Sequence, residues 1–405
     1  MDLFDKEFFP TLKNNPSLAY FDNAATTQTH QWVLDSMSRY YEYERCNIHR
    51  SDFAMSDHVA EQVYNARRSV ANLLNAEPEQ IMFTAGATDS LNIIADWYSG
   101  AKQVIISQGE HNANIVPWVV RNKTPGNGLN VLELHKDFGT ININDAVRQF
   151  EKCPPGSLLS IATVHNSTGA MQWWEALVRE AKAHGLVTCL DACQSIMHSE
   201  INVQETPVDY IVFSGHKMFG PTGIGVLYSR QGFENLRPVR FGGGGVEHVT
   251  FSDVVFYNDV ARHEVGTQNI SGILGIGTAA EFINYVGYDH IKSRIDETYK
   301  LFEVYRIDEL LAELKFERVY IKDDGFARHS KSILSYRNAH MNPSDLTAML
   351  GNRNVASRSG KMCAHPIVNS LSKNGLFRLS TAPYNTIEDV IKLSSELTEV
   401  LKKFS

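Results

Sequence analysis

Long apolar runs are missing from this 405-residue chain. No stretch approaches the length and apolarity of a membrane span, so no membrane partner is expected. The opening segment, Met1–Pro10, mixes acidic, basic and aromatic residues. It lacks a basic start followed by an apolar run and does not read as a signal peptide. Cysteine is scarce: Cys46, Cys153, Cys189, Cys193 and Cys363. Five scattered thiols in a chain of this length do not make a disulfide framework, and the reducing cytoplasm is the expected compartment. Positive charge is also short. Lys and Arg number 38 against 46 Asp and Glu, for a formal net charge of −8. That disfavours nucleic acid as a partner, because phosphate backbones are bound through basic surfaces. A small anion needs only a local site and stays open. Internal repeats, low-complexity tracts and long charge blocks are absent as well.

What is present is the composition of a globular protein, 43% hydrophobic and 21% charged, in a chain long enough for a large core and more than one domain. From Asp57 to Leu74, Val59, Val63, Ala66, Val70 and Leu74 recur at helical spacing. Strand-like and helix-like segments then alternate. Strands are predicted at Gln80–Thr84, Gln103–Ser107, Leu158–Val164, Leu186–Leu190, Tyr210–Phe213 and Gly225–Tyr228, and helices at Thr88–Tyr98 and Trp174–His184. Short apolar strands alternating with helices imply an α/β fold with a mostly parallel sheet covered on both faces. After about Gly287 the texture changes. A long charged helix is predicted over Asp289–Leu314, followed by polar strands and helices near Pro343–Leu350 and Ile387–Phe404. The expected division is a large domain over residues 1–287 and a smaller α+β C-terminal domain over 288–405. The first thirty or so residues are free to pack with either.

The densest chemical signal is Ser214-Gly215-His216-Lys217-Met218-Phe219-Gly220-Pro221-Thr222-Gly223. It follows a predicted strand, and ligands in open α/β sheets sit beyond the carboxyl ends of strands. A lysine there can form an imine with an aldehyde once desolvation or nearby positive charge has removed its proton. The flanking glycines permit close backbone approach. Spacing alone leaves a surface lysine in a Gly-rich turn as an equal alternative. Asp191 also ends an apolar run and is open to reading as a helix cap or as a partner for a ring nitrogen. Gly86-Ala87-Thr88 stands between a strand and a helix, where free N–H groups and a hydroxyl suit phosphate. Cys189 and Cys193, flanked by His184 and His198, invite a metal reading. The strand-like context of Cys189 and the lack of zinc spacing oppose it.

Taken in order along the chain, several motifs resemble one family. They are Tyr20-Phe21-Asp22-Asn23-Ala24-Ala25-Thr26, Asn47-Ile48-His49-Arg50, Glu110-His111-Asn112-Ala113-Asn114, the lysine turn, and Phe377-Arg378-Leu379-Ser380-Thr381-Ala382-Pro383. Together they resemble the class V aminotransferase-like enzymes of pyridoxal 5'-phosphate (PLP), and most of all the Suf-type (group II) cysteine desulfurases. The resemblance covers nearly the whole chain and implies PLP fold-type I, normally a homodimer with active sites at the interface. It implies that Lys217 carries PLP as a Schiff base, that Asp191 faces the ring nitrogen, and that Gln194 faces the phenolic oxygen. His111 would stack on the ring. Ala87, Thr88, Ser214 and His216 would form the phosphate cup, completed by Thr267 from a neighbouring subunit. Ala87 replaces a usual threonine, so one hydroxyl contact is lost there. Asn166, Arg358 and Arg378 would bind the substrate carboxylate.

The resemblance also assigns the nucleophile. Cys363 lies in Arg358-Ser359-Gly360-Lys361-Met362-Cys363-Ala364-His365-Pro366. A lone cysteine is usually a small buried hydrophobe, but Gly, Lys, His and Pro neighbours suggest an accessible loop. Lys361 would favour the thiolate. The family's persulfide-forming cysteine stands at this position. Histidines are common where Lys361 and Met362 stand, glutamine is common at His365, and a second histidine is common at Asn112. The implied activity is conversion of L-cysteine to L-alanine with a persulfide on Cys363. That sulfur would pass to an acceptor protein, as in iron–sulfur cluster assembly. Selenocysteine or cystine lyases, epimerases and aminotransferases share the scaffold without generally needing Cys363. A non-catalytic sulfur-relay scaffold is the alternative from another class.

Overall fold

A computed structural model describes residues 2–48, 53–98, 103–121, 128–320 and 328–403. His49 and Arg50 of the sequence motif lie outside the described residues. The large sheet has seven strands: β1 (Ile81–Thr84), β2 (Gln103–Ser107), β3 (Gly128–Leu132), β4 (Leu158–Ala162), β5 (Val187–Asp191), β6 (Tyr210–Ser214) and β7 (Gly225–Ser229). Their spatial order is β1-β7-β6-β5-β4-β2-β3. All neighbours pair in parallel except β7, which is antiparallel to both β1 and β6. Every residue of β4, β6 and β7 is buried. This is why these strands read as continuous apolar runs rather than alternating ones: helices cover both faces. The edge strand β3 was not anticipated. Only Leu132 of its five residues is buried, so its hydrophobic pattern is weak.

The helices that matter for the site are α1 (Gln31–Tyr43), α2 (Ala54–Asn72), α3 (Ala87–Trp97), α4 (Trp174–Ala183) and α5 (Ile270–Val286). Sequence periodicity did not reveal α5, because it is apolar and buried on nearly every side until its last turns, where Glu281, Asn284 and Tyr285 are exposed. It packs against α1 and α2. Gly277 permits this approach, since a methyl group there would lie 2.3 Å from Cβ of Ala66.

The long charged helix expected over Asp289–Leu314 is instead two, α6 (Tyr288–Val304) and α7 (Ile307–Glu313). The break falls at Arg306, which adopts a left-handed conformation at φ 54°. The turn delivers Ile307 and Leu311 into a second hydrophobic core with Phe302, Tyr336, Leu379 and Leu397. Helices α8 (Pro343–Gly351), α9 (His365–Leu371) and α10 (Ile387–Leu401) follow. They accompany a four-stranded antiparallel sheet of β8 (Glu317–Arg318), β9 (Ile333–Arg337), β10 (Arg358–Gly360) and β11 (Leu376–Ser380), in the order β8-β9-β11-β10. Ala19 and Phe21 join this second core, whereas Phe4, Phe9 and Leu12 pack in the first. Among the described residues no helix is long and apolar enough to cross a membrane.

One close approach fixes the sheet edge beneath the site. Gly225 of β7 faces the turn at Gly86, and a methyl group on it would lie 2.5 Å from Cα of Gly86 and 2.7 Å from the Phe213 carbonyl oxygen. Both neighbours are backbone and cannot rotate aside. Gly225→Ala is therefore expected to cost about 1–3 kcal/mol of stability. Urea denaturation of the variant should show a lower midpoint; an unchanged midpoint would mean that the Gly86 turn shifts freely.

Candidate active site

The carboxyl ends of β4, β5 and β6 open onto one cavity of about 330 Å³. Its lining includes Ala87, Thr88, His111, Asn166, Asp191, Gln194, Ser214, His216, Lys217, Arg358, Cys363 and Arg378. The structure thus gathers twelve of the thirteen residues singled out from the sequence. The thirteenth, Thr267, is exposed and is not part of the cavity lining of its own chain.

Lys217 closes a short 3₁₀ turn, Gly215–Lys217, directly after β6. The N-terminal segment clasps that turn. The Thr27 backbone N–H and the Thr26 hydroxyl donate to the His216 carbonyl at 2.9 and 3.0 Å, and the Phe219 N–H donates to the Thr27 hydroxyl at 2.8 Å. Phe219 is left-handed at φ 65°, which reverses the chain after the lysine. Burial, followed by the positive charge of Lys217, pushes His216 down to about 4, so its ring is neutral at physiological pH. Asp191 is the last residue of β5, 6% exposed, and accepts the Cys193 backbone N–H at 3.0 Å. Gln194 donates to the Ala24 carbonyl at 2.8 Å.

Helix α3 begins at the cavity with Gly86 as its N-cap, at φ 150°. The Ala87 N–H donates to the Ser214 hydroxyl at 2.9 Å, which ties this helix start to the end of β6. Helix starts of this kind offer unsatisfied N–H groups and a favourable dipole to an anion. His111 caps a short 3₁₀ turn, and its Nδ1 accepts the Ala113 N–H at 3.1 Å. Burial and then Lys217 lower its basicity, with Asp191 opposing.

Arg358 and Arg378 stand directly opposite each other on β10 and β11. Like charges in such a pair repel. Asp22 resolves the conflict. It accepts Arg358 Nη2 at 2.7 Å and Nε at 2.9 Å, and Arg378 Nη2 at 3.0 Å. Two guanidinium groups sharing one carboxylate leave a net positive charge beside the cavity. Arg378 is only 1% exposed, and burial lowers its pKa to about 10 even with Asp22 in contact. It also donates to the Asn166 carbonyl at 2.8 Å. Its Nε and the Asn166 Oδ1 are buried with no hydrogen-bond partner among the described residues. Buried polar atoms without partners are costly and fit a polar ligand group at this end. Asp22 was quoted within a sequence motif but given no role; the signal was a carboxylate beside Phe21 in an otherwise apolar stretch.

Cys363 is exposed at the rim. Both Met362 and Cys363 are left-handed, at φ 48° and 54°, a conformation that costs a non-glycine residue about 1–2 kcal/mol. The loop is held by hydrogen bonds from Asn166 Nδ2 to the Met362 carbonyl at 2.8 Å and from the Asn112 N–H to the Cys363 carbonyl at 2.6 Å. The other cysteines near the site differ in kind. Burial drives the Cys189 and Cys193 thiols well above their ordinary range, so both stay protonated. Among the described residues no group of three or more His, Cys, Asp and Glu could hold a metal.

The donor set fits PLP. An amine stands at the base of the cavity, a carboxylate ends β5, a neutral imidazole lies nearby, helix-start N–H groups and hydroxyls occupy one end, and a net positive arginine pair occupies the other.

Comparison with known proteins agrees. Residues 19–393 match the family model of class V aminotransferases. A cysteine desulfurase of Synechococcus elongatus is 32% identical over 402 residues, 97% of this chain; the chain spans 62% of that relative's length. A probable cysteine desulfurase of Halalkalibacterium halodurans is 32% identical over 409 residues, 98% of each chain. Among solved structures, the apo form of a cysteine desulfurase from Thermococcus onnurineus superposes with a TM-score of 0.89 at 30% identity, covering 98% of this chain and 97% of its own.

Beneath the cavity lies a buried carboxyl, Glu110, which the sequence reading also passed over. It accepts Asn114 Nδ2 at 2.7 Å and the Ala162 N–H at 2.8 Å, and shares a 2.5 Å contact with the Ser107 hydroxyl. Burial raises its pKa to about 7; the three hydrogen bonds oppose that, and the charge of Asp191 adds to it. The unfolded carboxyl releases its proton near 4.5. Between the two values the folded chain holds the extra proton, so this group's contribution is complete below about 4.5 and is lost as pH rises through about 7. The amide introduced by Glu110→Gln would stay neutral while offering one donor and one acceptor. The stability of the native protein relative to that variant should therefore fall by roughly 2 kcal/mol between pH 5 and 8. Parallel urea titrations across that range test this; a pH-independent difference would mean that Glu110 is ionised throughout.

Proposed function

The chain belongs to the class V aminotransferase family and, within it, to the PLP-dependent cysteine desulfurases, and on that premise we propose that it converts L-cysteine to L-alanine while Cys363 receives the sulfur. The observation that carries this reading is the exposed Cys363 thiol lining the same cavity as Lys217.

Each residue has a task that its surroundings suit. Lys217 would anchor PLP covalently, and Asp191, Gln194 and His111 would hold its ring. Ala87, Thr88, Ser214 and His216 would form the cup for its phosphate, Ala87 without a hydroxyl and with its N–H shared with Ser214. When bound, PLP supplies the aldehyde that condenses with the substrate amine and the ring that draws electron density from the α-carbon. Arg378, Arg358 and Asn166 bind the substrate carboxylate, drawn by the net positive charge that Asp22 leaves unneutralised. Once released, the Lys217 amine takes the α-proton and moves it within the site. The Cys363 thiolate attacks the substrate sulfur. A sulfur–sulfur bond forms, the carbon–sulfur bond breaks, and the carbon side departs as alanine. The sum, L-cysteine and a thiol giving L-alanine and a persulfide, balances without an external oxidant or reductant. The persulfide is then passed to an acceptor protein in the cytoplasm.

The working unit is a homodimer. Thr267 supports this reading: it is exposed, and its segment is rigidly held. Glu264 fixes that segment through a bidentate pair with Arg67, at 2.8 and 2.7 Å, and through the Phe83 N–H at 2.7 Å. From there Thr267 reaches the phosphate of the other protomer. Thr267→Ala is expected to weaken PLP binding severalfold without dissociating the dimer, as read by cofactor titration and light scattering. A monomeric wild type would remove the basis for this role.

Cys363→Ser tests the central claim. The variant should keep PLP and bind L-cysteine yet lose alanine production by at least about a hundredfold, since a hydroxyl is a poor nucleophile toward sulfur. Wild-type protein pulsed with L-cysteine should gain one sulfur atom on the Cys363 peptide. Alanine or pyruvate release at full rate by the serine variant, with no sulfur on the wild type, would make the protein a lyase.

A further inference from the structure

Asn112, next to His111, and His365, two residues past Cys363, are 253 residues apart in the chain and come together in the fold. They touch: Asn112 Nδ2 lies 2.9 Å from His365 Nδ1. An amide facing an imidazole can close one hydrogen bond in either orientation of the amide, and whichever of the two positions each occupies.

The pair stands at a mechanically useful place. Asn112 follows His111, which lines the cofactor cavity. His365 opens α9, two residues after Cys363. The Asn112 N–H already holds the Cys363 carbonyl at 2.6 Å, and the Ala364 N–H closes the turn onto the Lys361 carbonyl at 2.8 Å. Asn112 therefore grips the loop twice, by backbone at Cys363 and by side chain at His365. Cys363, gripped at its carbonyl, and Met362 before it both hold a left-handed conformation that they would leave if released. The contact is solvent-exposed, so it contributes little to global stability, and its effect falls on the choice of loop conformer.

We propose that Asn112 and His365 form a clip that positions the Cys363 thiol toward the substrate sulfur. The clip rests on the reading of Cys363 as sulfur acceptor. It ties the wall that faces the cofactor to the residue that receives the sulfur, alongside the hydrogen bond from Asn166 to the Met362 carbonyl. Neither Asn112 nor His365 lines the cavity. They are positioning residues and act through Cys363.

The test uses PLP-loaded enzyme and rapid quench with L-cysteine, followed by mass measurement of the Cys363 peptide. Asn112→Ala and His365→Ala should each slow sulfur arrival on Cys363 by about three- to tenfold, the range of one lost hydrogen bond. KM for L-cysteine should stay within about twofold, because substrate binding does not use the clip. The double alanine variant should be no slower than the slower single one, as expected of two halves of one contact. The exchanged pair, Asn112→His with His365→Gln, should recover a rate within about twofold of wild type and exceed Asn112→Ala. Retained cofactor absorbance and far-ultraviolet circular dichroism establish that the variants are folded. Unslowed single variants, multiplying effects in the double variant, or an exchanged pair slower than Asn112→Ala would each overturn the clip. Wild type that gains no sulfur on Cys363 would instead overturn the reading beneath it.

Discussion

Asp22 is the charge on which the junction of this molecule depends. Strands β10 and β11 pair so that Arg358 and Arg378 stand side by side, an arrangement that repels in isolation and is worse when one partner is fully buried. A single carboxylate from the N-terminal segment makes the pairing tenable. The same segment pairs Asp22 with Ser380 across a β-bridge, sends Phe21 into the second core, and clasps the Lys217 turn through Thr26 and Thr27. One short stretch of chain therefore fixes the lysine on one side and the arginines on the other. The net positive charge that remains is the feature that an amino-acid carboxylate requires.

The large sheet contributes differently. Parallel strands end together, so Ala162, Asp191 and Ser214 arrive at one edge although they are distant in sequence. Continuous burial of β4 and β6 makes that edge rigid, which suits a site that must hold a cofactor ring in register. The antiparallel insertion of β7 brings Gly225 against Gly86 and settles where α3 begins. The polar floor, Glu110 with Ser107 and Asn114, is satisfied by hydrogen bonds rather than by solvent. Its carboxyl is shifted upward because charge is expensive there.

The loop at Cys363 obeys the opposite logic. It is exposed at Cys363 and conformationally strained, and polar contacts at Met362 and Cys363 hold it next to the buried Ala364. A sulfur carrier must face inward to accept and outward to donate, and a loop secured by hydrogen bonds can be repositioned at lower cost than a buried strand. The thiols of Cys189 and Cys193, locked in burial and kept protonated, cannot perform that task.

Much of this was legible in the residues themselves. Apolar runs with helical intervals gave the α/β sheet, because strands buried on both faces must be continuously apolar. Lys217 and Asp191 were candidates at strand ends with plain structural readings beside them, a lone Cys363 read first as a small hydrophobe, and it was the dispersed motifs that tied all three to a family. Weak or saturated patterns escaped: β3, whose single buried residue carries no period, and α5, which is apolar on nearly every side and so has no face to detect. The helix break at Arg306 was hidden because a left-handed arginine leaves no mark in composition. Asp22, Glu110 and the contact between Asn112 and His365 depend on pairings across 336, 52 and 253 residues of chain. Sequence determined which chemical groups this protein has and which elements carry them. Only the tertiary structure decided which charges share a partner, which carboxyl is denied water and what grips the Cys363 loop, because those depend on distances that chain order does not encode.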